Sequence, residues 1–127
     1  MKFSTKGEYG LRAAVNLAGS YPQRKNIKAL ALEENISVKY LERLVGKLRK
    51  NNILKSFKGK DGGYVLARNP KKITAGEIIE IMEGPIVSKC QNIHCPKTKK
   101  CSSSSVWIKL DEQIRKTLYG IKLSDLL

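Results

Sequence analysis

The chain has no apolar run approaching the roughly 18 residues of a membrane-spanning helix, no secretory signal ahead of Phe3, and a single histidine. The first two absences give the expectation of a cytoplasmic protein. A membrane surface fits poorly as well, because no amphipathic basic segment stands apart from the rest of the chain. One histidine, no phosphate-binding glycine loop and no hydrolase motif leave no catalytic constellation to assemble, so the chain reads as not an enzyme. Its three cysteines, Cys90, Cys95 and Cys101, contain no C-x-x-C pair of the kind a thiol oxidoreductase uses. Acids are scarce: 11 Asp and Glu stand against 25 Lys and Arg, a formal net charge of +14. Such an excess fits a polyanionic partner, with nucleic acid first. At 127 residues the chain can bury a modest core but is short for a multi-step enzyme with its own cofactor domain. One domain with an oligomer-forming extension is expected.

What is present is concentrated in Ser37–Leu66, SVKYLERLVGKLRKNNILKSFKGKDGGYVL. Wound at about 100° per residue, positions 38–50 gather Val38, Leu41, Leu44, Val45 and Leu48 on one arc and Lys39, Glu42, Arg43, Lys47, Arg49 and Lys50 on the other. Ser37 is placed to cap this helix. Lys39 then sits near the positive end of the helix dipole, a cost that an anion beside it would offset. Gly46, on the polar arc, costs about 1 kcal/mol relative to alanine, and close approach of another backbone is one reason for its presence. A basic arc alone is equally well explained as a solvated face. Asn51 and Asn52 suit a helix stop, and Ile53–Lys58 and Tyr64–Ala67 read as short strands around a turn that carries Lys60. A helix offering its first turns to base edges, followed by a basic hairpin, is the arrangement of a winged helix-turn-helix. The candidate contacts to double-stranded DNA are Ser37, Lys39, Tyr40, Glu42, Arg43 and Lys47 on the helix and Lys58 and Lys60 on the hairpin. Glu42, the lone acid on the arc, can accept from a cytosine amino group.

Around this unit the reading is a mainly α fold: a winged helix-turn-helix with a small β-hairpin wing and a long C-terminal dimerisation helix. A first helix starts at Ser4 or Thr5 and runs to about Gly19, with Glu8 and Arg12 spaced for an intrahelical ion pair. A second helix begins near Ile27 and ends around Glu34 and Asn35, so residues 27–50 form the helix-turn-helix and residues 54–67 the wing. Thr74 and Glu77 make a capping box with Ile73 and Ile78 as its hydrophobic staple, opening a helix that Gly84 and Pro85 stop. The DNA-binding domain is thus residues 1–84, followed by a cysteine loop over 85–105 and a dimerisation helix and tail over 106–127. Trp107, Leu110, Ile114, Leu118 and Ile121 form an amphipathic stripe that needs burial, against a second copy or against its own domain. A homodimer suits a palindromic operator, since a twofold protein reads a twofold duplex.

Lys89, Lys97, Lys99 and Lys100 flank the cysteines and favour thiolates. The spacings lack the two-residue knuckles usual in structural zinc sites. A Cys3His set with His94 stays open, although adjacency to Cys95 tends to turn that side chain away. A disulfide would leave one thiol over and is disfavoured in the cytoplasm. An iron–sulfur cluster takes thiolates from such open spacings and accepts a non-cysteine ligand. From spacing alone the cysteine loop leaves a zinc site and an iron–sulfur cluster both open, and beside a DNA-binding regulator stands a zinc-stabilised basic structural or RNA-binding module, which would be colourless.

The opening MKFSTKGEYGLRA, the segment ISVKYLERLVGKLRKNNIL, the GKDGGYVLA hairpin, ITAGEIIEIMEGPI and the three-cysteine loop together resemble the Rrf2 family of bacterial transcription regulators, of the iron-sulfur cluster regulator (IscR) type. The resemblance spans nearly the whole chain. It implies a dimeric winged-helix repressor or activator acting as a redox sensor, with Cys90, Cys95 and Cys101 binding a [2Fe-2S] or [4Fe-4S] cluster that tunes DNA affinity. Members of that type carry a histidine ligand three residues after the third cysteine, where this chain has Ser104. A nitric-oxide-sensing branch instead uses a carboxylate from the partner subunit's first helix, and Glu8 occupies the matching position. ITAGEIIEIMEGPI is also similar to a cysteine-metabolism branch (CymR) whose members lack the cluster cysteines.

Overall fold

In the computed structural model, which describes residues 3–85 and 102–127, helix ends fall on the capping residues the sequence supplies. The cysteine loop reading, including Cys90, Cys95, Cys101 and His94, lies outside the described residues. Helix α1 (Thr5–Ser20) starts at Ser4, whose side chain accepts from the Lys6 N–H. It buries Gly7, Gly10, Ala13, Ala14, Leu17 and Ala18, a face small enough for close packing against α4 (Ala75–Glu83). Helix α2 (Ile27–Glu34) is capped by Asn26 and ended by Asn35 in the left-handed region, φ 54°. Helix α3 (Val38–Lys50) is capped by Ser37, which accepts from the Tyr40 N–H, and buries Leu41, Leu44, Val45 and Leu48. Val38, assigned to the same arc, is 37% exposed because it lies at the arc's margin on the first turn.

The wing is an antiparallel pair, β1 (Leu54–Phe57) and β2 (Gly63–Leu66), with Leu54 opposite Leu66 and Phe57 opposite Gly63. A third edge comes from the loop between α1 and α2. The Lys25 N–H donates to the Tyr64 carbonyl at 2.9 Å and the Tyr64 N–H to the Lys25 carbonyl at 2.8 Å. Gly63 makes this possible, since its φ of 147° and its contact with the Lys25 backbone leave no room for a Cβ.

Helix α4 opens on the Thr74–Glu77 capping box, with both reciprocal bonds formed and Ile73 and Ile78 buried beneath it. Its last residue, Glu83, reaches back to α1: Oε1 accepts from the Ser4 N–H and hydroxyl, each at 2.7 Å, and from the Gly7 N–H at 3.0 Å. Helix α5 (Ser104–Tyr119) begins two residues ahead of the expected start and docks on α4 through its C-terminal half. Backbone bonds from Ala75 to Ile121 and from Leu123 to Ile73 hold the tail, and Leu123 is fully buried.

The expected Glu8–Arg12 pair does not form. Arg12 instead donates to the Glu34 carboxylate at 3.2 Å and to the Glu34 backbone carbonyl, at the C-terminal end of α2. That end offers a carboxylate and unpaired helix carbonyls together, which an intrahelical carboxylate cannot match. Glu8 is exposed and has no ion pair among the described residues. No described helix is long and apolar enough to cross a membrane.

Candidate nucleic-acid interface

The exposed arc of α3 carries Lys39, Glu42, Arg43, Lys47, Arg49 and Lys50. At its centre is Gly46, in ordinary helical conformation, and beyond its chain neighbours and the backbone of its own helix no described heavy atom stands within 4 Å of where a Cβ would be. No other element among the described residues closes on it. Lys58 and Lys60 are exposed at the hairpin turn, which Gly59 makes with φ 98°.

Tyr40, expected among the DNA contacts, also makes contacts within the chain. Its ring is half-buried and stands edge-on to Tyr9, centroids 6.0 Å apart, with its hydroxyl 3.4 Å from that of Thr5. It therefore belongs to the seam between α1 and the start of α3. Ser37 is committed through its oxygen to the cap, leaving its O–H free to donate. Lys47 lies two turns beyond Tyr40 along the same edge of the helix, lining a surface cleft of about 430 Å³ with Asn51, Arg68, Glu77, Glu80 and Tyr119. Lys39, Glu42 and Arg43, within the first two turns, are all exposed.

The ion pairs explain why the arc stays cationic. Glu34 pairs with Arg12, Glu33 with Lys25 at 2.7 Å, Glu77 with Arg68 at 3.1 Å, and Glu80 and Asp111 with Arg115. These five acids are engaged with cations outside the exposed arc of α3, which keeps Glu42 as its one acid. Lys39, Arg43, Arg49, Lys50, Lys58 and Lys60 have no ion pair among the described residues. Hydrogen bonds from Lys25 and then Asn16 hold the Glu33 carboxyl below its ordinary range, so the Lys25 charge is neutralised within the chain. Desolvation, joined by Glu80, pushes the Tyr119 hydroxyl up to about 12, keeping it a donor to Glu80 at any physiological pH.

Sequence reasoning missed Arg24 and Lys28, both exposed cations flanking the start of α2. Arg24 lies over Phe57 of the wing, its guanidinium carbon 3.5 Å from the ring centroid. The basic loop Gln23–Arg24–Lys25 was the available signal, but only the Lys25–Tyr64 pairing puts it beside the hairpin.

On α5, Val106, Trp107, Ile108 and Leu110 are exposed, Trp107 at 41% and Leu110 at 39%, whereas Ile114, Leu118 and Ile121 are half-buried. The stripe is covered at its C-terminal end alone. Among the described residues no three His, Cys, Asp or Glu side chains converge on a metal position.

The chain matches the Rrf2 family, described as iron-dependent transcriptional regulators, over residues 3–127. It is 37% identical to the HTH-type transcriptional regulator CymR of Bacillus subtilis, across 99% of this chain and 89% of that protein. The solved structure of CymR, described as the global cysteine regulator of that organism, superposes with a TM-score of 0.86, covering 99% of this chain and 95% of that one. A solved IscR from T. potens gives 0.82 at 35% identity, covering 99% and 85%. IscR of Klebsiella pneumoniae is 30% identical over 99% of this chain and 79% of its own length. With a helix-turn-helix, a basic wing and relatives that match it from end to end, the chain belongs to the Rrf2 family of DNA-binding transcriptional regulators and is not an enzyme.

Proposed function

We propose that this regulator is a cytoplasmic homodimer that binds a palindromic duplex operator, as a repressor, with an affinity tuned by an iron–sulfur cluster on Cys90, Cys95 and Cys101. The observation that carries the reading is the donor set: three thiols within twelve residues, in a chain related to IscR proteins. Soft thiolates suit iron–sulfur chemistry, and Glu8, exposed and outside any ion pair among the described residues, can serve as a fourth ligand for the partner subunit's loop. A bound cluster would supply a redox-responsive charge and shape at that loop. Lys39, Arg43, Lys58 and Lys60 neutralise phosphates, and Glu42 accepts from a cytosine amino group. The exposed apolar residues of α5, Trp107 and Leu110 among them, form the seam between subunits.

Anaerobic purification followed by a visible spectrum and an iron and sulfide assay tests the cluster. Absorption that disappears in Cys90→Ala, Cys95→Ala and Cys101→Ala supports it. A colourless, zinc-bearing protein refutes it. The higher identity to CymR favours a second reading, regulation linked to cysteine supply without a cluster, for which the protein would be colourless and metal-free.

A further inference from the structure

We propose that Arg24 and Phe57 form a further DNA anchor, in which a guanidinium held over an aromatic ring beside the wing tip grips a backbone phosphate of the duplex. The inference rests on DNA binding and is independent of the cluster. The Lys25–Tyr64 bridge adds the segment before α2 to the hairpin as a third edge. Continuing that register puts Arg24 on the same sheet face as Gly63, Val65, Lys55 and Phe57. Gly63 has no side chain, which leaves the path across β2 open to the Arg24 side chain. The guanidinium carbon rests 3.5 Å from the Phe57 centroid.

The bland account is a surface cation–π contact that steadies the hairpin. Two features decide against that as the whole role. Stacking uses the face of the guanidinium and leaves its five N–H donors at the rim. No carboxylate among the described residues takes them, although Arg12, Lys25, Arg68 and Arg115 are paired. The stack also ends next to Lys58, where the chain turns through Gly59 to Lys60. A planar donor set in fixed orientation beside two lysines matches the oxygens of a phosphate, to which arginine bonds in bidentate fashion. Phe57 fixes the orientation of the guanidinium before the duplex arrives.

The deciding experiment is a salt titration of binding by fluorescence anisotropy, on a duplex selected by the wild-type protein and on a scrambled duplex of equal length. Arg24→Ala should flatten the slope of log K against log salt by about 0.9 and weaken both duplexes alike, by about eightfold at 0.1 M salt. Arg24→Lys and Phe57→Leu should keep the slope and lose affinity, because the charge stays while its orientation is lost. Thermal melting of each variant checks that the fold is intact. A wild-type slope in Arg24→Ala overturns the anchor, as does a loss confined to the selected duplex, since phosphate contacts carry no sequence information. Failure of the wild-type protein to bind any duplex would instead overturn the DNA-binding reading, and the two failures cannot be confused.

Discussion

Replacing Gly46 by alanine should make the protein more stable and a worse DNA binder. The position is interior to α3, has ordinary helical backbone angles, and has empty space around the site of a Cβ. Within the protein the added methyl clashes with nothing, so the helix gains the difference between alanine and glycine, about 1 kcal/mol. For 127 residues at about 2.1 cal/mol/K per residue, the unfolding entropy is near 0.27 kcal/mol/K, and the melting temperature should rise by about 3 to 4 °C. In the complex the same methyl lies at the centre of the cationic arc, between Lys39, Glu42, Arg43 and Lys50. Crowding a well-fitted seam by one methyl costs about 1 to 3 kcal/mol, which is roughly fivefold to 150-fold in affinity. Calorimetric melting and anisotropy titration on one preparation measure both effects. A higher melting temperature with unchanged affinity would show that the duplex keeps clear of Gly46. A lower melting temperature would refute the description of its surroundings.

Lys58→Ala should reduce the salt slope of binding by about 0.9 on every duplex, and an unchanged slope would remove the wing tip from the interface. Leu110→Asp puts a charge into the exposed apolar band of α5 and should yield monomers with weakened operator binding; sedimentation at an unaltered mass would refute that seam. Glu8→Ala should hasten loss of cluster absorbance in air after anaerobic reconstitution, whereas Arg12→Ala, which frees Glu34, should lower the melting temperature and leave the decay unchanged. Equal decay in both would discard Glu8 as a ligand. The Glu83 carboxyl sits below its ordinary range: desolvation opposes its ionisation, and the bonds from Ser4 and Gly7 with the Lys6 charge outweigh it. A depressed folded value means the stabilisation is present above the unfolded carboxylate range and is lost as pH falls through the folded one. The melting-temperature gap between wild type and Glu83→Gln should therefore close in acid, and a constant gap would refute the assignment.

The parts of the fold legible from sequence are those whose bonds close within three or four residues. Ser37 to Tyr40 and Thr74 to Glu77 are bonds between near neighbours, and the residue types that make them declare the helix start directly. The long-range bonds were not legible. Glu83 holds Ser4 across 79 positions, and Arg12 holds Glu34 across 22. Nothing in either segment distinguishes the true carboxylate from nearer ones, so spacing favoured Glu8 for Arg12. Arg24 and Phe57 were separated by the same difficulty, because their meeting depends on a bridge between a loop and a strand. Tyr40 was placed among the DNA contacts from its position on the helix, yet its ring occupies the angular margin where α3 meets Tyr9.

The sorting of ion pairs by face has a consequence for how the protein finds its site. Among the described residues Glu33, Glu34, Glu77 and Glu80 are spent on Lys25, Arg12, Arg68 and Arg115, whereas Lys39, Arg43, Lys58 and Lys60 on the α3 arc and the wing have no ion pair, so the described charge is uneven. A body with that electrical asymmetry experiences a torque near a polyanion and arrives turned the right way round. Encounters are then productive more often, and a molecule that has landed on the wrong stretch can slide or hop without turning over. The search along a chromosome is shortened by the carboxylates that never touch it.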